Sequence, residues 1–198
     1  MFKYILPLSL LSVSMVSGSA LSATLAAGGI INISGAISDT TCTINGGNSN
    51  DMTILLDPIT VADAGTTANT VITKNQKPFS LTFSNCAPAP TPLTNTLKIH
   101  FSGSPNISSS GLYLVNDTVN ENDPAVAKNV GFSLSNASST TTAIQLNNTL
   151  DTLLTGTDTS GSGSGGSYTF VASYYKTNAS AAKAGSLHSN VIYTVSYL

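Results

Sequence analysis

Two cysteines, two histidines and nine carboxylates are the side chains of this 198-residue chain that could carry covalent, metal or acid–base chemistry. Their spacing argues against most of it. Cys42 and Cys86 form no C-x-x-C pair, and a zinc site needs more ligands than two distant thiols and two distant imidazoles. His100 interrupts the apolar alternation Leu97, Ile99, Phe101 and is expected on its solvated side, while His188 lies in a Ser/Gly-rich stretch. No G-x-S-x-G, H-E-x-x-H or phosphate-binding loop occurs. Most carboxylates are aspartates beside turn-forming residues, where Asp commonly caps and turns. Asn116 to Asp123 has oxygen ligands but not the D-x-[DN]-x-[DN]-G pattern of a calcium loop, so a solvated acidic loop is expected there. The expectation is therefore a protein that is not an enzyme, with no catalytic residues, no metal and no cofactor.

The cysteines are read through the N-terminus. Lys3 supplies positive charge, Ile5 to Val16 is an apolar run, and Ser17 to Ala23 offers small residues for cleavage. This is the pattern of a secretory signal over residues 1–22, cut after residue 20 to 23. The run is short for a membrane span. Export together with two cysteines favours one disulfide, Cys42–Cys86, in an oxidising compartment. Removing the signal leaves about 175 residues, enough for one domain with a sizeable core. Only 8% of residues are charged, the formal charge is -2, and arginine is absent. That excludes a basic nucleic-acid footprint and a polybasic lipid-binding patch.

The elements that would position these residues are strands. Apolar residues recur with period two in Met52-Ile54-Leu56, Phe79-Leu81-Phe83, Leu97-Ile99-Phe101, Val130-Phe132-Leu134, Tyr168-Phe170-Ala172-Tyr174 and Val191-Tyr193-Val195-Tyr197. Shorter sets are Leu112-Leu114 and Ile144-Leu146. Gly, Asn, Asp and Pro clusters separate them. No capped amphipathic helix appears; Ala179 to Ala184 is the nearest and Gly185 cuts it off. Many short strands with regular turn signals predict an all-β sandwich. Three loops are expected: Ile59–Gln76, long and polar; Ala87–Pro92, stiff and extended; and Gly156–Ser167, mobile. There is no tryptophan to pack on the bridge, and both cysteines fall in early strands, so the bond is not expected to cross between sheets as in a standard immunoglobulin domain.

Both ends of the mature chain carry an unusual strand. Leu25, Ala27, Gly29, Ile31 and Ile33 alternate just after the signal, outside the disulfide-closed body. Asn190 to Leu198 is a strand that runs to the last residue, without the proline or inward charge that protects a sheet edge. From pattern alone, each could equally pair within its own domain.

In order and spacing these features resemble the major-type subunits of chaperone–usher (type 1-like) fimbriae of Gram-negative bacteria. The resemblance spans essentially the whole mature chain. It is carried by Gly28-Gly29-Ile30-Ile31-Asn32-Ile33-Ser34-Gly35, by Cys42, by F-x-L-x-F-x-x-C at Phe79 to Cys86, and by F-x-A-x-Y at Phe170 to Tyr174. Ala184-Gly185 and Y-x-V-x-Y at Tyr193 to Tyr197 complete it. The missing arginine, the long proline loop after Cys86 and the Gly/Ser loop before Tyr168 depart from the pattern without touching these motifs.

The resemblance implies an incomplete immunoglobulin-like β-sandwich, a pilin fold lacking its last strand, over residues 36–198, preceded by an N-terminal donor-strand extension over 23–35. It implies a structural subunit of a surface fimbria that polymerises head to tail by donor-strand exchange and supports adhesion. Its partners would be neighbouring pilin subunits, a periplasmic chaperone and an outer-membrane usher, with export through the periplasm to the cell surface. Strand addition of this kind, pilin complementation included, is a known recognition mode. Leu25, Ala27, Gly29, Ile31 and Ile33 would be the donor residues, and burial of Leu25, Ile31 and Ile33 would contribute about 1.5–3 kcal/mol each. Gly29 keeps the apolar register, which favours a tight fit at a shallow groove over a flexible joint. Tyr193, Val195 and Tyr197 would line the acceptor groove, with Tyr197 as the chaperone-recognition residue. The alternatives are a minor adaptor or a secreted carbohydrate-binding β-sandwich module. A two-domain tip adhesin would carry a lectin domain in place of the extension.

Overall fold

The computed structural model describes residues 39–47, 51–102, 105–117, 123–160 and 165–197. The expected signal and donor-strand extension lie outside the described residues. The described chain is all-β apart from a 3-10 turn at Asn45–Gly47 and one α-helical turn. Its strands are β1 (Thr41–Ile44), β2 (Thr70–Ala87), β3 (Thr96–Ser102), β4 (Val130–Asn136), β5 (Ser139–Ala143), β6 (Leu150–Thr155), β7 (Gly165–Lys176) and β8 (Ile192–Ser196). The α-helical turn, α1, is Gly156–Thr159. Among the described residues the strands form two sheets, ordered β1-β2-β7-β4-β5 and β6-β3-β8, and every ladder pair is antiparallel.

Period-two patterning explains the core between the sheets. Leu81 and Phe83 of β2, Tyr168 and Phe170 of β7, Leu97, Ile99 and Phe101 of β3, and Val195 of β8 belong to one buried cluster. Phe170 is its hub, with ring centroids 5.3 Å from Phe79, 6.0 Å from Phe101 and 4.8 Å from Tyr168. The last two contacts are edge-on, the arrangement aromatic quadrupoles favour. On the opposite face of the β2–β7 ladder Ser80 and Thr169 share a hydroxyl hydrogen bond of 2.8 Å.

Cys42 and Cys86 are bonded, with an S–S distance of 2.05 Å. They sit on neighbouring strands of one sheet, in a stretch where Thr41 pairs with Ala87 and Thr43 with Ser84. The bond therefore staples β1 to β2 and does not link the two sheets, as the early position of both cysteines predicted.

Several elements differ from the pattern expectation. The predicted loop Ile59–Gln76 is shorter, because Thr70 to Ile72 already pair with Lys176 to Tyr174. A bulge then shifts the register before Lys77. Asn75 sits in this bulge with φ 56° and donates its side-chain N–H to the carbonyl of Pro58 at 2.9 Å, so polarity marks an irregular strand rather than a loop. Met52-Ile54-Leu56 alternates but forms no strand; Leu56 is buried while Leu55 is exposed. On β4 the wholly buried positions are Ser133 and Ser135, while Phe132 and Leu134 are half-buried. At Gly131, on the same face as these serines, a Cβ would stand 2.5 Å from the Leu114 carbonyl oxygen and 3.0 Å from the Tyr113 ring. The chain around Leu114 thus packs onto that end of β4. The pattern does not predict β5 or β6; Ala179 to Ala184 is not helical, in line with the expectation that Gly185 cuts it off. Of Gly156–Ser167, expected as a mobile loop, the first residues form α1 and the last begin β7, while residues 161–164 lie outside the described residues.

Candidate subunit interface

Three of the predicted site residues lie on or just after the last strand. β8 pairs with β3 and ends the order of the smaller sheet among the described strands. The ladder sets Val195 opposite Ile99 and Tyr193 opposite Phe101, so both share the core-facing side of β3. Val195 is 5% exposed; Tyr193 and Tyr197 are half-buried and pack against the same core. β1 ends the larger sheet, and its Cα atoms come within 8 Å of β8. The sequence-predicted acceptor residues and the disulfide-stapled strand therefore meet at the same border of the sandwich. The predicted donor residues Leu25, Ala27, Gly29, Ile31 and Ile33 lie outside the described residues.

The two tyrosines sit in different surroundings. Burial, and secondarily the charge of Asp51, pushes the Tyr193 phenol above its ordinary pKa, so it stays neutral and acts through its ring and hydroxyl. Tyr197 is tied by its hydroxyl to Thr159 of α1. Tyr197 lines a surface depression of about 320 Å3 together with Thr94, Asn95, Thr96 and Lys98. Lys98 forms a salt bridge to Asp151 across the β3–β6 ladder. Burial pushes the Asp151 carboxyl up, but hydrogen bonds from Lys98, the Leu153 N–H and Thr96 outweigh it and hold the group below its usual range. On the other side of β8, Ser196 and His100 share a hydrogen bond of 2.9 Å, and Thr149 meets the second imidazole nitrogen at 3.1 Å. His100 is thus a half-buried cross-strand bridge, more tied down than a solvated histidine. His188 is exposed and donates its backbone N–H to Asn116 at 3.1 Å.

α1 belongs to this site and was missed in the sequence. Its signal was present as Thr155-x-x-Asp158, an N-cap pattern. The Asp158 carboxylate accepts from the Thr155 backbone N–H at 2.8 Å and from the Thr155 hydroxyl at 2.7 Å. The Thr155 hydroxyl first, then the backbone bond, holds Asp158 below the ordinary carboxylate range. Gly156 donates to the carbonyls of Leu93 at 2.9 Å and Asn95 at 3.2 Å, docking the turn on the proline loop. Among the described residues no group of three metal-ligating side chains converges. What the site offers is a core-facing strand at the border of the sandwich.

The sequence matches a model of the family described as Fimbrial protein over residues 31–198. No curated protein matches it. Among solved structures it is similar to a chain from the structure of a chaperone–usher pilus concerned with rod uncoiling. The identity is 14%, the coverage 86% of this chain and 96% of that one, and the TM-score 0.54. It is likewise similar to the P pilus rod subunit PapA, with 13% identity, 79% and 99% coverage, and a TM-score of 0.54. At such identities the likeness is one of fold, and the fold is the immunoglobulin-like sandwich of pilin subunits. A family match over five-sixths of the sequence, joined to that sandwich and its single disulfide, makes the chain a member of the fimbrial protein family.

Proposed function

We propose that this chain is a structural, non-catalytic subunit of a chaperone–usher fimbria and that it polymerises head to tail by donor-strand exchange. The observation that carries the proposal is the place of β8: last in the order of its sheet among the described strands, with Tyr193 and Val195 turned to the core, beside the last described strand of the other sheet. A strand added at that border would gain ladder hydrogen bonds, each worth about 1 kcal/mol net, and would cover apolar core. The segment Leu25 to Ile33 has the matching period, with Gly29 in register where a side chain would be too large. A periplasmic chaperone would occupy the border first. At the outer-membrane usher the extension of the next subunit would replace it. Such an interface is heterologous and does not close, so it builds a fibre on the cell surface.

The test is expression of the mature chain without residues 21–34, with and without a matching chaperone. The truncated chain is expected to bind the chaperone and to form no fibre. A stable polymer from it alone would overturn the proposal. In the full-length chain, Gly29→Leu is expected to impair polymerisation while leaving chaperone binding largely intact. Normal fibre yield from that variant would make Gly28-Gly29 a flexible joint instead.

A further inference from the structure

The hydroxyl of Tyr197 is held by a group from elsewhere in the fold. Thr159 is wholly buried at the end of α1, and its Oγ1 donates to the Thr155 carbonyl at 2.9 Å. A threonine hydroxyl has one proton, so with that proton committed Thr159 accepts, and the Tyr197 phenol donates to it. The Thr159 methyl is pinned as well. At Gly166 of β7 a Cβ would stand 3.2 Å from Thr159 Cγ2 and 3.0 Å from both terminal carbons of Leu154, so no larger residue than glycine fits without displacing them. With the methyl set against β7 and the proton fixed on Thr155, the directions of the oxygen's two acceptor lone pairs are set. The tyrosine follows the last strand of the smaller sheet, whereas Gly166 belongs to the larger one. Thr159 therefore joins the recognition end of the chain to both sheets at once.

We propose that Thr159 is the positioning residue for Tyr197: seated by α1 and Gly166, it holds the tyrosine ring in the pose that a bound chaperone meets. This rests on the proposed chaperone–usher function and on Tyr197 as the chaperone-recognition residue that the family resemblance implies. Tyr197 also lines the surface depression with Thr94, Asn95 and Lys98, where a partner can reach it. Pre-setting a side chain removes an ordering cost from binding.

The experiment is a double-mutant cycle on the mature full-length chain bound to a matching chaperone, using Thr159→Val, Tyr197→Phe and the pair. Loss of one hydrogen bond corresponds to about a three- to tenfold weaker complex. Thr159→Val and Tyr197→Phe are each expected to show that loss, the pair no more than either alone, and Thr159→Ser to restore most of it. In chains labelled with 3-fluorotyrosine, the 19F resonance absent from Tyr197→Phe identifies residue 197. That resonance is expected to move in Thr159→Val and to stay near its place in Thr159→Ser. If Thr159→Val does not fold, Tyr197→Phe still tests the link from the other side, by faster amide exchange at Ser160, whose N–H closes α1 on the Gly156 carbonyl at 3.0 Å. An unmoved resonance with additive binding losses, or unchanged exchange at Ser160, would overturn the positioning role. Should Tyr197→Phe bind the chaperone like wild type while the Thr159→Val resonance moves, the recognition role falls and the seating of the ring stands.

Discussion

Gly156→Ala is a substitution on which local propensity and tertiary packing disagree in sign. Gly156 is the first residue of α1 and has no left-handed backbone to lose. Alanine is the better helix former by about 0.8–1 kcal/mol, so local reasoning expects stabilisation. Packing opposes it. A Cβ at this position would stand 2.5 Å from Pro90 Cγ, 2.7 Å from Pro90 Cδ and 3.1 Å from the Leu93 carbonyl oxygen. Ordinary carbon contacts begin near 3.5 Å, so the loop must retreat by about 1 Å. Pro90 cannot turn aside: it is buried, its ring is rigid, and Pro88 and Pro92 constrain the backbone around it. Overpacking of this kind costs about 1–3 kcal/mol. Retreat of the loop also stretches the Gly156 N–H bonds to Leu93 and Asn95, a further loss of about 1 kcal/mol. Packing wins, and the net destabilisation is about 1–3 kcal/mol. For a domain of this size that lowers the melting temperature by roughly 3–10 °C. The assay is thermal unfolding followed by far-UV circular dichroism. Gly165→Ala serves as the control, since its Cβ would meet only Thr82 Cγ2 at an ordinary 3.5 Å. A Gly156→Ala melting temperature equal to or above wild type would show that α1 is not locked against the proline loop.

Three further outcomes are expected. Replacing Cys42 and Cys86 together by alanine opens a loop of 44 residues, worth about 4 kcal/mol on the chain-entropy model, so the urea midpoint should fall sharply; an unchanged midpoint would remove the disulfide from the stability of the fold. Lys176 is wholly buried with no carboxylate bonded to it, and burial pushes its ammonium pKa down; it donates to the carbonyls of Asn129, Asn178 and Ser180. Because Asn178 and Ser180 lie in an exposed turn, their carbonyls can turn to water, and Lys176→Met should shift global stability by less than about 1 kcal/mol while amide exchange at Ser180 accelerates. A loss above about 3 kcal/mol would show the ammonium to be a core element instead. Asp63, held low by the Thr60 backbone and hydroxyl, and Asp158 and Asp151 all have folded pKa values below 3.8. Their stabilisation is present above 3.8 and is lost as pH falls through the folded values, so denaturation midpoints should be level near neutrality and drop below about pH 4, with Asp158→Asn flattening the drop. Equal midpoints at pH 3 and pH 7 would contradict those shifts.

The strands that were legible in the sequence are those with one face in the core. Phe79-Leu81-Phe83, Leu97-Ile99-Phe101, Tyr168-Phe170 and Tyr193-Val195 alternate because one face of each strand meets the opposite sheet. The illegible strands break that rule for identifiable reasons. β5, Ser-Thr-Thr-Thr-Ala, lies at the sheet edge and carries no apolar face. β6 does alternate, with Leu150, Thr152 and Leu154 inward, but Leu153 is 76% exposed at φ 62° and fills the polar phase of the pattern with an apolar residue. The beginning of β2 was taken for a loop because its bulge is polar. Of the site, Tyr193 and Val195 were visible through period two, whereas Thr159 was not. A threonine between Asp158 and Ser160 is ordinary in sequence, and only the approach of β7 and Tyr197 makes it a buried acceptor.

The same physics accounts for the long connection into β8. With 8% charged residues and no arginine, this chain has little charge with which to fix its loops, and between described residues the structure gives the salt bridge Lys98–Asp151, in a ladder and not in a loop. It uses side chains bonded to main chain instead. Asn129 donates to the Ala181 carbonyl at 2.7 Å, Lys183 to the Asp123 carbonyl at 2.8 Å, Asn116 to the Ser186 carbonyl at 3.1 Å, and Asn106 to the Asn190 carbonyl at 3.4 Å. These contacts recur every few residues from 181 to 190, so a segment without helix or strand is still positioned along its length. At Gly185 the packing is closest, where a Cβ would lie 2.3 Å from the Val126 carbonyl carbon. Composition rules read such a stretch as loop because its side chains are polar, yet their polarity is what holds it. β8 therefore enters its sheet from a fixed starting point and leaves it at Tyr197, itself bonded to α1. A strand tethered at both ends keeps its register when its neighbour on one side is exchanged, which is the property that donor-strand exchange at this border requires.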